Sequence, residues 1–279
     1  MSDFVFERSY RGKVKAVILD WSGTLADAYV VAPAVVFVEV FARHGVEISM
    51  TEARAPMGLR KDLHIEQLTK DPAIAERWKR KHGKYPGAAE VKAMFADFVP
   101  MQLACLKQYS ALLPGAAAVA KRLQKRGIKI GVTTGFTRAM VDILEKEAAR
   151  QGFRPDSSVA GDEVEHGARP GPFMVYKNLD RLGVYPIQSV VKVDDTTSGV
   201  GEALNAGCWG VGVARYSNYM DMDTPDADRK MPKAELERRL EKTRAILRAT
   251  GAHYVIDSIA DLEPVIADIE ARMARGERP

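Results

Sequence analysis

Three groups of polar residues directly follow short apolar runs of the sequence. They are residues 20–24 (DWSGT), residues 133–135 (TTG) and residues 194–196 (DDT). Carboxylates that converge repel each other and need a cation, and a dense set of oxygen ligands suits Mg²⁺. A hydroxyl–glycine turn ahead of a helix offers backbone N–H groups to a phosphate. If the three groups meet, the sequence predicts a magnesium-dependent site for a phosphate-bearing ligand.

Each group taken alone has an equally good structural explanation. Asp, Ser and Thr are common N-caps of helices, and a helix is expected after each group. Agreement among three separate groups favours a shared site. Arg169, in the sequence ARPGP, would add a positive charge that pairs with phosphate oxygens or with an Asp. From spacing alone, an exposed loop arginine explains that residue equally well.

The apolar runs themselves predict strands buried on both faces, because they are too short for helices and rich in β-branched residues. They are residues 14–19, 128–132, 190–193 and 209–213, with residues 253–256 as a last candidate. Amphipathic helices are predicted between or after them at residues 116–124, 138–150, 172–182, 197–206 and 234–249. This alternation predicts an α/β fold, a Rossmann-like, doubly wound parallel sheet. Such sheets bind ligands outside the carboxyl ends of their strands, where the polar groups fall.

One long segment interrupts the alternation. Residues 27–110 show helical patterns and no clear strand, with apolar faces at residues 37–41 and 94–101. We therefore expect two domains, an α/β core of residues 1–26 and 111–279 and a smaller helical domain of residues 27–110. Residues 273–279 are expected to form a loose tail.

Composition excludes several classes of protein. The 279 residues carry a net charge of +4, but Lys and Arg alternate with Asp and Glu along helices, which is typical of solvated faces and argues against a nucleic-acid partner. No apolar run approaches the ~20 residues that span a bilayer, so no membrane partner is expected. Residues 1–11 lack the features of a secretory signal, and the only cysteines are Cys105 and Cys208. A cytoplasmic protein with a small anionic substrate is expected.

The order and spacing of these motifs resemble the haloacid dehalogenase (HAD) superfamily over nearly the whole chain. The resemblance implies that Asp20 is a nucleophile that forms an aspartyl-phosphate. It implies that Mg²⁺ is held by Asp20, Asp195 and the backbone carbonyl of Ser22, and that residues 27–110 are a helical cap. Many members carry a further Asp at the position of Gly199, so Asp194 is expected to substitute for it.

One departure from the superfamily pattern bears on the reaction. Its phosphatases carry a second Asp two residues after the nucleophile, as an acid and base for the leaving alcohol. Here that residue is Ser22, whose hydroxyl is far too weak an acid to replace it. Ordinary phosphate-ester hydrolysis is therefore disfavoured, and the leaving group must be handled differently.

Residues 56–64 (PMGLRKDLH) resemble the cap signature of the phosphonatase (phosphonoacetaldehyde hydrolase) family. The resemblance extends to residues 130–135 (IGVTTG), 184–186 (VYP) and 251–254 (GAHY). It implies cleavage of the P–C bond of phosphonoacetaldehyde, with Lys61 as a Schiff-base lysine, a step in 2-aminoethylphosphonate breakdown. It also places Met57, Gly58, Thr134, Gly135 and Arg169 at the substrate or its phosphoryl group, with Ser22.

The chemistry gives a reason for the lysine. P–C cleavage expels a carbanion, and an iminium nitrogen on Lys61 would accept its electrons without an acid beside Asp20. Lys61 must then be partly neutral, through burial or a nearby cation such as Arg60. His64 shares a helical face with Lys61 and is a candidate for proton transfer, with a purely structural histidine as the alternative. Phe136 stands where the family pattern has Tyr.

Two other functions stay open at this point. A phosphatase or phosphomutase of the same superfamily would act on a small phosphate ester, against which Ser22 argues. A non-catalytic relative would bind phosphate ligands or a partner protein, against which the presence of both Asp20 and Lys61 argues. The family resemblance further implies a homodimer formed through the cap, although the apolar residues there suit an internal core equally well.

Overall fold

The computed structural model describes residues 9–279, so the expectations for the N-terminal segment fall mostly outside it. Within these residues the chain forms one six-stranded, wholly parallel sheet in the order β3-β2-β1-β4-β5-β6. Its strands are β1 Ala16–Leu19, β2 Lys129–Thr134, β3 Ser157–Ala160, β4 Val190–Asp194, β5 Trp209–Val213 and β6 Tyr254–Ile256. The predicted doubly wound α/β fold is confirmed.

Strand β1 lies at the centre of the sheet. All four of its residues are buried, as expected for a strand covered by helices on both faces. Leu19 pairs with Val132 of β2 on one side and with Val193 of β4 on the other. This register brings the carboxyl ends of the three strands to the same level at one edge of the sheet.

Two sets of helices accompany the sheet. We call helices α1–α5 the cap, and the sheet with the other helices the core. The cap helices are α1 Val31–Arg43, α2 Met50–Arg54, α3 Lys61–Lys70, α4 Pro72–His82 and α5 Ala88–Cys105. The core helices are α6 Ala116–Lys125, α7 Arg138–Arg150, α8 Phe173–Leu182, α9 Thr197–Ala206, α10 Lys233–Ala249 and α11 Leu262–Ala274.

Local sequence explains where cap helices begin. Ser49 and Glu52 form a reciprocal capping box at the start of α2. Asp71 accepts hydrogen bonds from the first backbone N–H groups of α4, and Pro72 occupies the first turn, where its missing N–H costs nothing. Phe37, Phe98 and Trp78 are buried among these helices, so the cap has an apolar interior.

The two connections between cap and core run side by side. Ala26 forms an antiparallel bridge with Leu112, and the N–H of Leu113 donates to the carbonyl of Leu25 at 2.8 Å. The chain therefore leaves and re-enters the core at one place, next to β1. No described helix is long and apolar enough to cross a membrane.

Two sequence-based expectations differ from the structure. Strand β3 was not predicted, because its sequence SSVA is short and half polar. The loose tail predicted from residue 273 is wrong at its start, because α11 continues to Ala274 and Met273 is fully buried. Met273 belongs to the apolar face of α11 with Leu262, Ile266 and Ile269, a spacing that does predict a helix.

Candidate active site

The ends of β1, β2 and β4 bring the predicted polar groups together. Asp20 follows β1, Thr134 ends β2, and Asp194 ends β4 with Asp195 directly after it. One oxygen from each of Asp20, Asp194 and Asp195 lies within 4.8 Å of the others, and all three residues are buried. The predicted convergence of carboxylates therefore exists at the carboxyl edge of the sheet.

Arg169 lies at the centre of these carboxylates. Its guanidinium contacts Asp20 at 2.6 Å, Asp194 at 3.3 Å and Glu202 at 3.1 Å, and only 2 % of the residue is exposed. It also donates to the carbonyl and the hydroxyl of Thr133, each at 2.8 Å. Of the two explanations left open for Arg169, the exposed loop arginine is excluded.

The electrostatics of this cluster follow from burial and from the guanidinium. Burial raises the pKa of Asp20, although Arg169 opposes the shift. Burial alone would also raise the pKa of Asp194, but Arg169 and Lys192 together hold it below its usual value. The pKa of Arg169 is raised, because the pull of Asp194, Asp20 and Glu202 outweighs its desolvation.

A divalent cation fits the residues present. Burial, and then the charge of Asp20, raises the pKa of Asp195 well above its usual value, and its Oδ1 atom is buried with no hydrogen-bond partner. When all four are ionised, the carboxylates of Asp20, Asp194, Asp195 and Glu202 outnumber the cations Arg169 and Lys192, and negative charge remains in excess even with Lys61 protonated. Oxygen ligands with such an excess suit Mg²⁺.

The space beside Gly199 is filled by Asp194. A Cβ atom at residue 199 would lie 1.8 Å from Cγ of Asp194. The Asp194 carboxylate accepts from Lys192 at 2.6 Å and from the hydroxyl and N–H of Thr196 at 2.8 and 3.0 Å. Asp194 thus occupies the room that a longer residue at 199 would need, and both of its oxygens are hydrogen-bonded.

Lys61 approaches this cluster from the cap. It is the first residue of α3 and is 5 % exposed. Its ammonium lies 4.7 Å from the ring centre of Phe136 and 5.9 Å from that of Phe37. Within residues 9–279, its Nζ makes no ion pair and donates no side-chain hydrogen bond.

Burial lowers the pKa of Lys61 to about 8. Asp20 opposes this shift, and Arg169 adds to it. The predicted contribution of Arg60 is not found; its guanidinium is paired with Asp62 at 2.7 Å. The start of a helix also disfavours a positive charge. About a tenth of Lys61 is therefore neutral at about pH 7, and about half at about pH 8.

A cavity of about 20 Å³ lies between the cap and the core. It is lined by the predicted site residues Asp20, Ser22, Met57, Gly58, Lys61, Thr134, Gly135 and Arg169, together with Val30, Phe136 and Thr196. This volume holds roughly one water molecule, so a substrate enters only if cap and core separate.

Close backbone approach explains two of the lining glycines. A Cβ atom at Gly58 would lie 2.2 Å from the hydroxyl of Ser198, and one at Gly135 would lie 2.5 Å from the carbonyl of Leu59. Residues 57–60 of the cap therefore rest directly on the start of α9 and on the turn after β2. Any side chain at either glycine would hold the domains apart.

His64 is fully buried behind Lys61. Its Nε2–H donates to the carbonyl of Ala53 at 2.8 Å, and its ring stacks on Phe37 with centres 3.9 Å apart. Burial, and then the charge of Lys61, holds the pKa of His64 well below its usual value, so the ring is neutral. These contacts position α2 against α3. The Nδ1 atom is buried without a hydrogen-bond partner, and His64 is not among the residues that line the cavity.

The sequence analysis missed three residues of the site. Lys192 and Glu202 complete the network around Arg169, and each carried a signal, a charge within a buried strand or on the apolar face of a helix. Asp27 is buried between Ser22 and the start of α1, where it accepts from the N–H groups of Val31 and Ala32. Burial raises the pKa of Asp27 to about 7. No sequence signal distinguished it.

Comparisons with known proteins agree with this geometry. A model of the haloacid dehalogenase-like hydrolases matches residues 14–207. A phosphonoacetaldehyde hydrolase of Nitratidesulfovibrio vulgaris is 45% identical over 279 residues, covering 100% of this chain and 99% of the relative. A phosphonoacetaldehyde hydrolase of Paraburkholderia phytofirmans is 47% identical over 266 residues, covering 95% of this chain and 99% of its own.

A solved structure extends the agreement to three dimensions. A phosphonoacetaldehyde hydrolase-like protein from Oleispira antarctica superposes with a TM-score of 0.95 at 37% identity, covering 99% of this chain and 100% of the other. The chain therefore belongs to the haloacid dehalogenase-like hydrolases and, within them, to the phosphonoacetaldehyde hydrolase family.

Proposed function

We propose that this hydrolase cleaves the P–C bond of phosphonoacetaldehyde to give acetaldehyde and phosphate, in 2-aminoethylphosphonate breakdown. The observation that carries the proposal is the meeting of Lys61 and Asp20 in one small cavity between cap and core. One group suits an aldehyde and the other suits phosphorus. The names of the relatives support the choice of substrate.

Lys61 begins the reaction. Its neutral Nζ adds to the aldehyde carbon, the adduct takes up a proton, and water leaves, which forms a protonated imine. Burial favours this step because it lowers the pKa of the amine to about 8. The iminium nitrogen then accepts the electron pair of the P–C bond, so the departing fragment is an enamine instead of a carbanion.

Asp20 supplies the attacking oxygen. Arg169 donates to Oδ1, which leaves Oδ2 to attack phosphorus as the P–C bond breaks. Water then hydrolyses the aspartyl-phosphate to phosphate and regenerates Asp20. The enamine is protonated at carbon, and hydrolysis of the resulting imine releases acetaldehyde and frees Lys61. We assign the hydroxyl of Thr134, the N–H of Gly135 and the Arg169 guanidinium to stabilising the phosphoryl oxygens, since all three residues line the cavity.

Mg²⁺ is the cofactor that suits the carboxylates. Asp20, Asp195 and the backbone carbonyl of Ser22 would hold it, and Asp194 contributes negative charge beside them. When bound, the ion supplies positive charge to the phosphoryl oxygens and to the nucleophile. No acidic side chain is needed at the position of Ser22, because the iminium nitrogen accepts the electron pair of the broken P–C bond.

Several residues and properties complete the proposal. His64, neutral and next to Lys61, is assigned to proton transfer during imine formation. Met57 and Gly58 close the cavity over the substrate.

We place the cap at residues 27–110 and the core in the remainder. We also propose a cytoplasmic homodimer that meets through the cap. Light scattering of the purified protein tests the dimeric state.

The first test is release of acetaldehyde from phosphonoacetaldehyde, read by a coupled alcohol dehydrogenase with Mg²⁺ and with a chelator. We expect release that depends on Mg²⁺ and is matched by phosphate. Folded, Mg²⁺-loaded protein that releases no acetaldehyde but hydrolyses phosphate esters would favour the phosphatase alternative. Tight phosphate binding with no turnover would favour the non-catalytic one.

A further inference from the structure

Arg54 is a cap residue whose guanidinium contacts acceptors of the core. It is the last residue of α2 and is 3 % exposed. Its Nη1 contacts Oδ1 of Asp221 at 3.1 Å and Oδ1 of Asp223 at 2.9 Å, and its Nη2 donates to the carbonyl of Met222. All three acceptors belong to the core, so separation of cap and core must break these contacts.

We infer that Arg54 is a positioning residue that fastens the closed cap to core residues 217–223. The inference rests on the proposed function, in which Asp20 cleaves the P–C bond of the Lys61-bound substrate only when cap and core meet. We call residues 217–223 the latch segment. It lies between β5 and α10, and the proposed mechanism gives it no other role.

The cap end of the contact is tied to the loop that carries Lys61. The carbonyl of Arg54 accepts from the N–H of Met57 at 3.0 Å and from the side-chain amide of Asn218 at 3.5 Å. Residues 57–60 then contact the start of α9 and the turn after β2, and lead into α3. A displacement of Arg54 therefore moves the loop that ends at Lys61.

The core end is tied to a proposed metal ligand. The N–H of Asn218 donates to Oδ2 of Asp195 at 3.3 Å, and the hydroxyl of Ser217 donates to the Asp195 carbonyl at 2.8 Å. Arg239 of α10 holds the carbonyls of Met220 and Asp221 at 3.0 and 2.6 Å. The latch segment thus connects the cap loop and Asp195 through a piece of chain anchored in the core.

The chemistry of the contact suits a reversible fastening. The side chains of Asp221 and Asp223 are 48% and 70% exposed, so both carboxylates remain hydrated when the cap opens. In the closed state the hydrogen bonds are charge-assisted and the guanidinium is largely excluded from water. These hydrogen bonds favour the closed state. Opening replaces them with hydration of the same groups, so closure stays reversible.

The consequence for the reaction separates two steps. Imine formation needs only Lys61 and the aldehyde, whereas P–C cleavage also needs Asp20 of the core. Loss of the Arg54 contact should therefore reduce cleavage far more than imine formation. A residue needed only for folding would reduce both together.

The test uses Arg54→Gln and, from the core side, the double variant Asp221→Asn/Asp223→Asn. Arg77→Gln is the matched control, since Arg77 is a cap arginine paired with Glu52 of the cap itself. For both latch variants we expect kcat/KM for acetaldehyde release to fall about 30-fold, with borohydride trapping of the imine within about threefold of wild type. The control should keep wild-type kcat/KM.

A second readout needs no substrate. Hydrogen exchange of the latch segment and of residues 55–60 should quicken in both latch variants and stay unchanged in Arg77→Gln. Wild-type exchange and wild-type kcat/KM in both latch variants would overturn the inference. Equal loss of trapping and cleavage would also overturn it. Failure of the proposed function is distinct, because wild-type protein would then release no acetaldehyde while the exchange result still stands.

Discussion

The cation on the core side of the site and the cation on the cap side have opposite surroundings. Arg169 in the core contacts three carboxylates within 3.3 Å, whereas Lys61 in the cap faces aromatic rings and makes no ion pair within residues 9–279. Both side chains are almost fully buried. Burial with counter-ions keeps Arg169 charged, and burial without a close counter-ion lowers the pKa of Lys61.

This difference matches the chemistry assigned to each group. A cation that stabilises phosphoryl oxygens must remain charged throughout the reaction. An amine that attacks an aldehyde must first lose its proton. The fold provides both by placing one cation among strand-end carboxylates and the other at the start of a helix against Phe136. Four predictions probe this contrast, from the largest expected effect to the smallest.

Lys61→Arg removes the cap side of the contrast, because a guanidinium stays protonated and cannot form the imine. We expect acetaldehyde release to fall at least about 1,000-fold, with no adduct after borohydride treatment. Lys70→Arg on the same helix is the control, since Lys70 is exposed and paired with Glu66. Substantial activity in Lys61→Arg would exclude the Schiff-base route.

Arg169→Lys weakens the core side, because an ammonium cannot reach the three carboxylates and Thr133 at once. We expect kcat to fall about 100-fold while imine trapping at Lys61 persists. Arg181→Lys, at an exposed pair with Glu163, should act as wild type. Equal loss of trapping would mean that Arg169 serves the whole site and not the core side alone.

The pH dependence of trapping reports the state of Lys61. Because its pKa lies near 8, only the neutral fraction reacts, and that fraction falls about tenfold for each pH unit below 8. The initial rate of imine formation should therefore rise with pH and level off above about 8. A rise that continues toward the ordinary value of 10.5 would show that burial does not lower the pKa.

Phe136→Leu tests the aromatic contact alone, since it removes the ring and keeps an apolar side chain. A ring face favours the ammonium form by about 0.5–1 kcal/mol, so its loss should lower the pKa of Lys61 by about half a pH unit. The midpoint of the trapping profile measures this shift, with Phe136→Tyr as the ring-retaining control. A midpoint that moves upward would mean that water entry outweighs the lost ring.

The sequence predicted those parts of the fold and site that rest on local pattern. Buried β-branched runs located five of six strands, and strand-end residues located Asp20, Thr134 and Asp195. Strand β3 escaped because SSVA has neither length nor alternation. The spacing of Met273 from Leu262, Ile266 and Ile269 does predict that the last helix includes residue 273.

The missed parts depend on tertiary contacts. Asp27 resembles any other turn residue until the fold buries it beside Ser22. Arg54 is one of many arginines in the sequence, and only the folded chain brings residues 217–223 to it. The low pKa of Lys61 likewise arises from burial between two segments that are distant in sequence.

The most direct test of the two-sided site is the identity of the adduct that borohydride leaves on Lys61. Wild-type protein mixed with phosphonoacetaldehyde and Mg²⁺ should carry an ethyl group, because Asp20 has already removed phosphorus. Asp20→Asn should carry a phosphonoethyl group, because the imine forms but the P–C bond stays intact. Peptide mass spectrometry distinguishes the two. An ethyl group on Lys61 in Asp20→Asn, or no adduct on Lys61 in active wild-type protein, would contradict the account.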